Sequence, residues 1–271
     1  MTFHAAGANG APLTHLTRGD LRLLDDGRPE TDFVLFEPLT DLPIRAGFLF
    51  DSSASMMRGL AANRSIIRLY ASGLLRKGVD RAFTMQFGTR TLITQRWTGE
   101  EAAIARGASA VGPQPWLFDP LTAIFDTLYT TCRDQFAEVS GPATGNFILL
   151  FSDGEDDASH VYLSEAVDMC QRTRTAIYAI VDGRRSRDSE GQKTLEELAS
   201  ETGGRVFFHP RGAQVWEDLK TIEEDERNQY RLVYRPAEFK ADGAFHRIRL
   251  DCSVKGAWIV TRSGYYAFAR P

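Results

Sequence analysis

Two kinds of hydrophobic pattern divide this chain. Residues 47–50 (GFLF), 146–151 (NFILLF) and 176–181 (AIYAIV) are short runs apolar at nearly every position, the signature of parallel strands buried on both faces. Between and after them, apolar residues recur at helical spacing. Over 56–77 they fall at Met57, Leu60, Ile67, Tyr70, Leu74 and Leu75, which predicts a helix. Further helices are expected at 100–106, 122–136, 164–174, 195–202 and 215–228. Residues 81–87 and 91–97 read as a hairpin, 206–208 as a short strand, and 107–121, rich in Gly and Pro, as a loop. Strands that alternate with helices predict βαβ units and a mostly parallel sheet.

Both ends of the chain follow a different rule. Residues 2–6, 20–24 and 31–36 alternate in polarity and are separated by Asn9-Gly10 and Asp26-Gly27, and residues 230–234, 245–254, 257–262 and 264–266 alternate without any helical stretch. This is the pattern of antiparallel strands joined by tight turns. Neither end alone can enclose a core, whereas about six strands drawn from both make a sandwich. The expected architecture is an α/β domain at 43–228, Rossmann-like, inserted in a β-sandwich built from 1–42 and 229–271. The tripeptide Arg18-Gly19-Asp20 leads into a strand, and three residues arise easily by chance.

Composition narrows the field. The 271 residues are 43% hydrophobic and 25% charged, ordinary values for a folded globular chain. A net charge of −4 with scattered basic residues gives no footprint for nucleic acid or for an anionic membrane. No apolar run is long enough to cross a membrane, and residues 1–10 lack the charged start and apolar core of a secretory signal. Cys132, Cys170 and Cys252 lie far apart, so they form no metal finger or disulfide framework, and at most one bridge. Cys132 and Cys170 fall on helical segments and read as small buried apolar residues.

Chemistry is expected where the first buried strand runs into Asp51, Ser53 and Ser55, because open α/β sheets bind ligands beyond the carboxyl ends of their strands. When the loop curls, these three side chains converge as hard oxygen donors of the kind Mg²⁺ accepts. Two more loops carry candidates at the same edge: Thr122 at a helix start, and Asp153 after the 146–151 strand. Each has an ordinary alternative. The serines could cap the next helix, Thr122 could be an N-cap, and Asp153-Gly154 a simple turn. Their occurrence together, in order, with Glu155, Asp156 and Asp157 adding negative charge nearby, calls for a counterion. Glu155, Asp156 and Asp157 themselves read as solvated or helix-capping, and the five dispersed histidines as surface residues. Trp116, Leu117 and Phe118 precede Thr122 and are equally suited to partner contact or to burial under the loop.

The chain resembles the von Willebrand factor A family, whose metal-ion-dependent adhesion site is D-x-S-x-S, a Thr and an Asp on three loops; here these are Asp51-Ser52-Ser53-Ala54-Ser55, Thr122 and Asp153. The segments VLFEPLTDLPIRAGFLFDSSASM, FSDGEDD, LASETGGRVF, QYRLVYRP and TRSGYYA look like the bacterial branch described as VWFA-related. The resemblance implies that Ser53, Ser55 and Thr122 meet a divalent ion directly or nearly so, and Asp51 and Asp153 largely through water. The implied ion is Mg²⁺, with Mn²⁺ or Ca²⁺ as substitutes, and the implied partner a protein offering a Glu or Asp carboxylate. An extracytoplasmic setting is also implied. Family members usually place small glycines before the loop Thr, whereas this chain has Asp119-Pro120-Leu121, where Asp119 can add a carboxylate or cap the helix.

Two other functions compete with this one. A structural scaffold would use the metal only to stiffen loops. A Mg²⁺-dependent phosphatase would use Asp51 as a nucleophile, but it needs a second Asp two residues on, where this chain has Ser53. No G-x-x-x-x-G-K-[ST], G-x-G-x-x-G, H-E-x-x-H or G-x-S-x-G occurs. The expectation is a binding module and not an enzyme.

Overall fold

The computed structural model describes residues 1–8, 11–113, 121–137, 143–182, 189–209, 214–237 and 239–267. In chain order its elements are β1 (Thr2–Ala6), β2 (Leu21–Asp25), β3 (Arg28–Glu30), β4 (Phe33–Leu39), β5 (Ile44–Asp51), α1 (Leu60–Gly73), β6 (Arg81–Phe87), β7 (Thr91–Thr98), α2 (Glu101–Ala110), α3 (Ile124–Gln135), β8 (Gly145–Phe151), α4 (Leu163–Arg172), β9 (Thr175–Asp182), α5 (Glu190–Thr202), β10 (Val206–His209), α6 (Val215–Arg227), β11 (Gln229–Tyr234), β12 (Phe245–Cys252), β13 (Trp258–Thr261) and β14 (Gly264–Tyr266). They form one central and two smaller sheets.

The central sheet has the order β10-β9-β8-β5-β6-β7, parallel except for the β6–β7 hairpin. Alternation along the strands sends successive side chains to opposite faces. Phe48, Phe50, Phe147, Leu149 and Phe151 pack on one face beneath α1, α2 and α6. Leu49, Ile148 and Leu150 pack on the other with Leu128, Cys132, Cys170 and Leu198 from α3, α4 and α5. Full burial on both faces explains why these strands read as unbroken apolar runs.

The two antiparallel sheets, β13-β1-β11-β4 and β14-β12-β2-β3, each draw strands from before β5 and after α6. They share one core, in which Phe3 and Leu232 from the first sheet meet Leu23, Ile248 and Leu250 from the second. The sandwich thus has eight strands where about six were expected. Strand β3 was missed because it is short, charged and contains Pro29, and its hairpin with β2 turns through Asp26 and Gly27, both at positive φ. Arg18-Gly19-Asp20 is a 3-10 turn before β2.

Where the chain passes into and out of the central part, the two crossings are tied together. Leu42 N–H donates to Arg227 O at 3.0 Å, and Arg227 Nη1 donates back to Leu42 O at 3.0 Å. Arg227 also contacts Asp80 (Nη2–Oδ2 2.7 Å) and pairs with Glu223, which accepts from Tyr70.

Helices α3 and α4 are joined covalently. Cys132 and Cys170 form a disulfide, which corrects their reading as separate apolar residues; both are fully buried. Cys252 is a free thiol.

Helix α6 carries a second buried acid, Glu226, which accepts from Tyr178 Oη at 3.0 Å and Gln229 Nε2 at 2.8 Å. Burial pushes its carboxyl up to about 8 from 4.5. The folded state therefore holds a proton that the unfolded state has lost across that window, and stability falls as pH rises through it. Glu226→Gln, neutral throughout, should match the wild type in mild acid and exceed it by roughly 2–4 kcal/mol above the folded pKa. Urea unfolding of both proteins across that range checks this, and parallel stability–pH curves would refute it.

Candidate metal centre

The strand order fixes where a site can form. From β5 the chain turns to β6 on one side and later to β8 on the other, so the crevice beyond the carboxyl ends of β5 and β8 is the sheet's switch point, the place where such folds bind ligands. Asp51 ends β5, and Asp153 follows β8 by two residues.

A chain of short contacts links the two loops. Ser53 N–H donates to Asp51 Oδ1 at 2.8 Å, Ser53 Oγ and Ser55 Oγ lie 3.1 Å apart, and Ser55 Oγ donates to Asp153 Oδ2 at 2.6 Å. Asp51, Ser53, Thr122 and Asp153 are buried, while Ser55 is exposed. The serines are not helix caps: α1 starts at Leu60 after a 3-10 turn, its N-cap is Gly59, and no side chain caps it. Thr122 is not an N-cap either. Helix α3 begins at Ile124 behind Ala123, and Thr122 is held from the β8 loop: its N–H donates to Asp157 Oδ1 at 2.6 Å, and its carbonyl accepts from the amides of Asp157 and Ala158.

Two acids of the run after β8, Asp156 and Asp157, are spent on amides. Asp156 Oδ2 accepts from Phe125 N–H at 2.9 Å and caps α3 from another loop, as anionic side chains do well at a helix start. Asp126 in turn accepts from the amides of His160 and Val161 and pairs with the exposed His160 at 2.9 Å. The loop carrying Asp153 is thereby fastened to the segment carrying Thr122.

Ser152 escaped the sequence reading. Its Oγ donates to Asp51 Oδ2 at 2.7 Å and accepts from Gly154 N–H at 3.1 Å. The signal was present, a polar residue closing an apolar strand between two acids' loops. Gly154 has φ +81°, and a Cβ there would fall 1.9 Å from the carbonyl oxygen of Gly191 in α5; only glycine lets the loop press against that helix. Trp116, Leu117, Phe118 and Asp119 lie outside the described residues.

Electrostatics favour a cation here. Burial pushes the Asp51 carboxyl above its ordinary range, Asp153 pushes it further, and hydrogen bonds from Ser53 and Ser152 only partly offset this. Two buried acids and two hydroxyls in contact form a donor set of hard oxygens, which fits a divalent ion of the Mg²⁺ type.

No protein-family model and no curated protein matches the chain. Solved structures do. BatB from Bacteroides thetaiotaomicron aligns with 67% of this chain over 98% of its own, at 14% identity and TM-score 0.54. An aerotolerance-related membrane protein from Bacteroides fragilis aligns over the same shares at 16% and 0.52. Proximal thread matrix protein 1 from the mussel byssus, solved with a zinc-occupied MIDAS motif, aligns with 69% of this chain at 17% and 0.52; this chain covers 48% of that protein. At such identities the likeness is one of fold. It defines the fold class, a mostly parallel α/β domain. The α/β part of the chain has this von Willebrand factor A-like fold and is joined to two antiparallel sheets.

Proposed function

We propose that the chain is a metal-ion-dependent protein-binding module, in which Asp51, Ser53, Ser55, Thr122 and Asp153 hold a divalent ion. The observation that carries this is the contact series from Asp51 through Ser53 and Ser55 to Asp153, which puts oxygens from two loops at one point of the switch-point crevice. Mg²⁺ suits hard oxygen donors, with Mn²⁺ or Ca²⁺ as substitutes. When bound, the ion would supply an open coordination position for an acidic side chain of a partner. The residues' own work is orientation: Ser152 and the Ser53 amide hold both oxygens of Asp51, while Asp156 and Asp157 fix the Asp153 loop against Thr122. The phosphatase alternative lacks its second acid, Ser53 standing where that Asp would be, so binding and not catalysis is the activity proposed.

The proposed division is an α/β domain at 43–228 within a sandwich from 1–42 and 229–271. An extracytoplasmic setting is part of the same reading, supported by the Cys132–Cys170 bridge, since disulfides persist in oxidising compartments. No helix among the described residues is long and apolar enough to cross a membrane.

Thermal melts with Mg²⁺, with Mn²⁺ and with EDTA test the metal. An ion that binds only the folded state stabilises it by about 2.7 kcal/mol at a hundred times its Kd. The wild type should shift upward by several degrees and an Asp51→Ala, Ser53→Ala variant should not. A wild type that ignores millimolar metal would sink the metal-binding mechanism.

A further inference from the structure

Three side chains of the β2–β3 hairpin and β12, none with a role assigned so far, face one another. Asp25 closes β2, Asp26 begins the turn, and His246 stands on β12. One oxygen of each carboxylate is already committed. Asp25 Oδ2 accepts from Tyr234 Oη at 2.8 Å and Tyr265 Oη at 2.9 Å, and Asp26 Oδ1 accepts from Arg247 N–H at 2.8 Å. The other oxygen of each points at the same imidazole nitrogen: His246 Nδ1 lies 3.0 Å from Asp26 Oδ2 and 3.9 Å from Asp25 Oδ1.

Asp25 is 6% exposed, and its Oδ1 has no hydrogen-bond partner among the described residues. A buried carboxylate oxygen without a donor is costly, since it has given up water for nothing. Another acid stands on the opposite edge of the ring. His246 Nε2, itself buried and without a hydrogen bond among the described residues, is 3.8 Å from Asp242 Oδ1, and the ring is stacked on Tyr265 at 5.2 Å. One nitrogen is thus turned toward two carboxylate oxygens and the other toward a single carboxylate. Metal-binding histidines have an acid beside the distal nitrogen that fixes the tautomer, and Asp242, 3.8 Å away, stands on that side of the ring.

We propose that Asp25, Asp26 and His246 form a second metal site, distinct from the adhesion-type edge, that takes Zn²⁺ or a similar divalent transition ion. The three donor atoms lie within 4.8 Å of one another, and tetrahedral zinc with ligands at about 2.0–2.2 Å separates its donors by roughly 3.3–3.5 Å, so small side-chain adjustments suffice. An imidazole with two carboxylates suits zinc better than Mg²⁺ or Ca²⁺, which prefer oxygen alone. Asp242 is the positioning residue. The fourth position opens on a cavity of about 220 Å³ also lined by Arg28 and Lys240, cations that favour water or a small anion there. Glu30 borders the same cavity but is held by Ala237 N–H. The site would pin the hairpin, from the start of the chain, to β12, from its end.

Isothermal titration of the full chain with Zn²⁺ through the micromolar range tests this, comparing wild type with His246→Gln and with Asp26→Asn. The difference is the readout: each variant should bind one zinc fewer than the wild type, whether or not the adhesion-type edge takes zinc as well, so failure of that site is scored separately by the Mg²⁺ melts. Asp242→Asn should keep the stoichiometry and weaken this zinc by about 10–100-fold. Co²⁺ in the wild type should give a visible tetrahedral spectrum that His246→Gln loses. If His246→Gln fails to fold in the absence of metal, Asp26→Asn, on an exposed turn, decides. Equal zinc counts in wild type and folded variants would overturn the proposal and leave His246 as a simple ion-pair partner of Asp26.

Discussion

Arg227→Met is expected to lower stability by about 3–5 kcal/mol, the cost of stripping the cation from buried acids. Asp80 is fully buried, and all its lone pairs are directed at donors: Oδ1 accepts from Ile44 N–H and Arg227 Nη1, and Oδ2 from Arg76 N–H and Arg227 Nη2. Burial alone would raise its carboxyl, but the Arg227 bonds and those two amides outweigh it and hold Asp80 below the ordinary range. Glu223 shares the same guanidinium and is pushed up to about 7 by burial. Without Arg227, two acids remain in one buried pocket with only Arg76, its Nε 3.5 Å from Asp80 Oδ2, as a cation among the described residues. The signs differ for the two. The depressed Asp80 contributes stability above its unfolded pKa and loses it as pH falls, whereas the raised Glu223 favours the folded state at low pH. The loss in Arg227→Met should therefore be largest at neutral pH and above, and shrink in acid as both carboxyls take protons. Adding Asp80→Asn to Arg227→Met should recover part of the loss, since replacing a whole buried pair is far milder than breaking it. Urea unfolding decides it, and a loss under about 1 kcal/mol at neutral pH would mean the cluster is solvated.

Opening the Cys132–Cys170 bridge is the second large effect expected. The cysteines are 38 residues apart in sequence, and closing a loop of that size restricts the unfolded chain by an entropy worth about 4 kcal/mol. Reduction, or Cys132→Ala with Cys170→Ala, should lower the melting temperature by roughly 5–15 °C at the usual scaling for a chain this long. Thiol titration supplies an independent count: one reactive cysteine, Cys252, in the unfolded unreduced protein and three after reduction. Three thiols before reduction would show that the bridge does not form and would remove the support it lends to an extracytoplasmic setting.

The sequence was most readable where burial is symmetric. The 146–151 run could only be a strand covered on both faces, and the acids after it and after 47–50 marked the edge that β5 and β8 do share. It was least readable where neighbours decide. Helix α2 continues through Gly107 to Ala110, although those residues read as loop, because the glycine lies so close to Gln95 and Thr84 that a Cβ would fall 2.3–2.4 Å from them. The serines' freedom from capping could not be read either, since the pattern over 56–77 hid the 3-10 turn that delays α1 to Leu60. Cys132 and Cys170 announce no partnership by spacing; only the facing of α3 and α4 makes one. The grouping of Asp25, Asp26 and His246 joins residues some 220 positions apart, and no local pattern carries it.

The tied crossings at Leu42 and Arg227 bear on how the molecule forms. Every strand pair of the central sheet closes within residues 44–209, whereas β1 must find β11 across more than two hundred residues, Thr2 opposite Arg231. Long-range pairings are slow because chain entropy is lost before contacts repay it. Once the central sheet has assembled and Leu42 has met Arg227, however, the distant ends leave from one point, and the remaining search is that of a short loop. The sandwich should accordingly assemble last, and a refolding experiment should see Trp97, packed on the central sheet, reach its native signal before Trp258, which reports on β13.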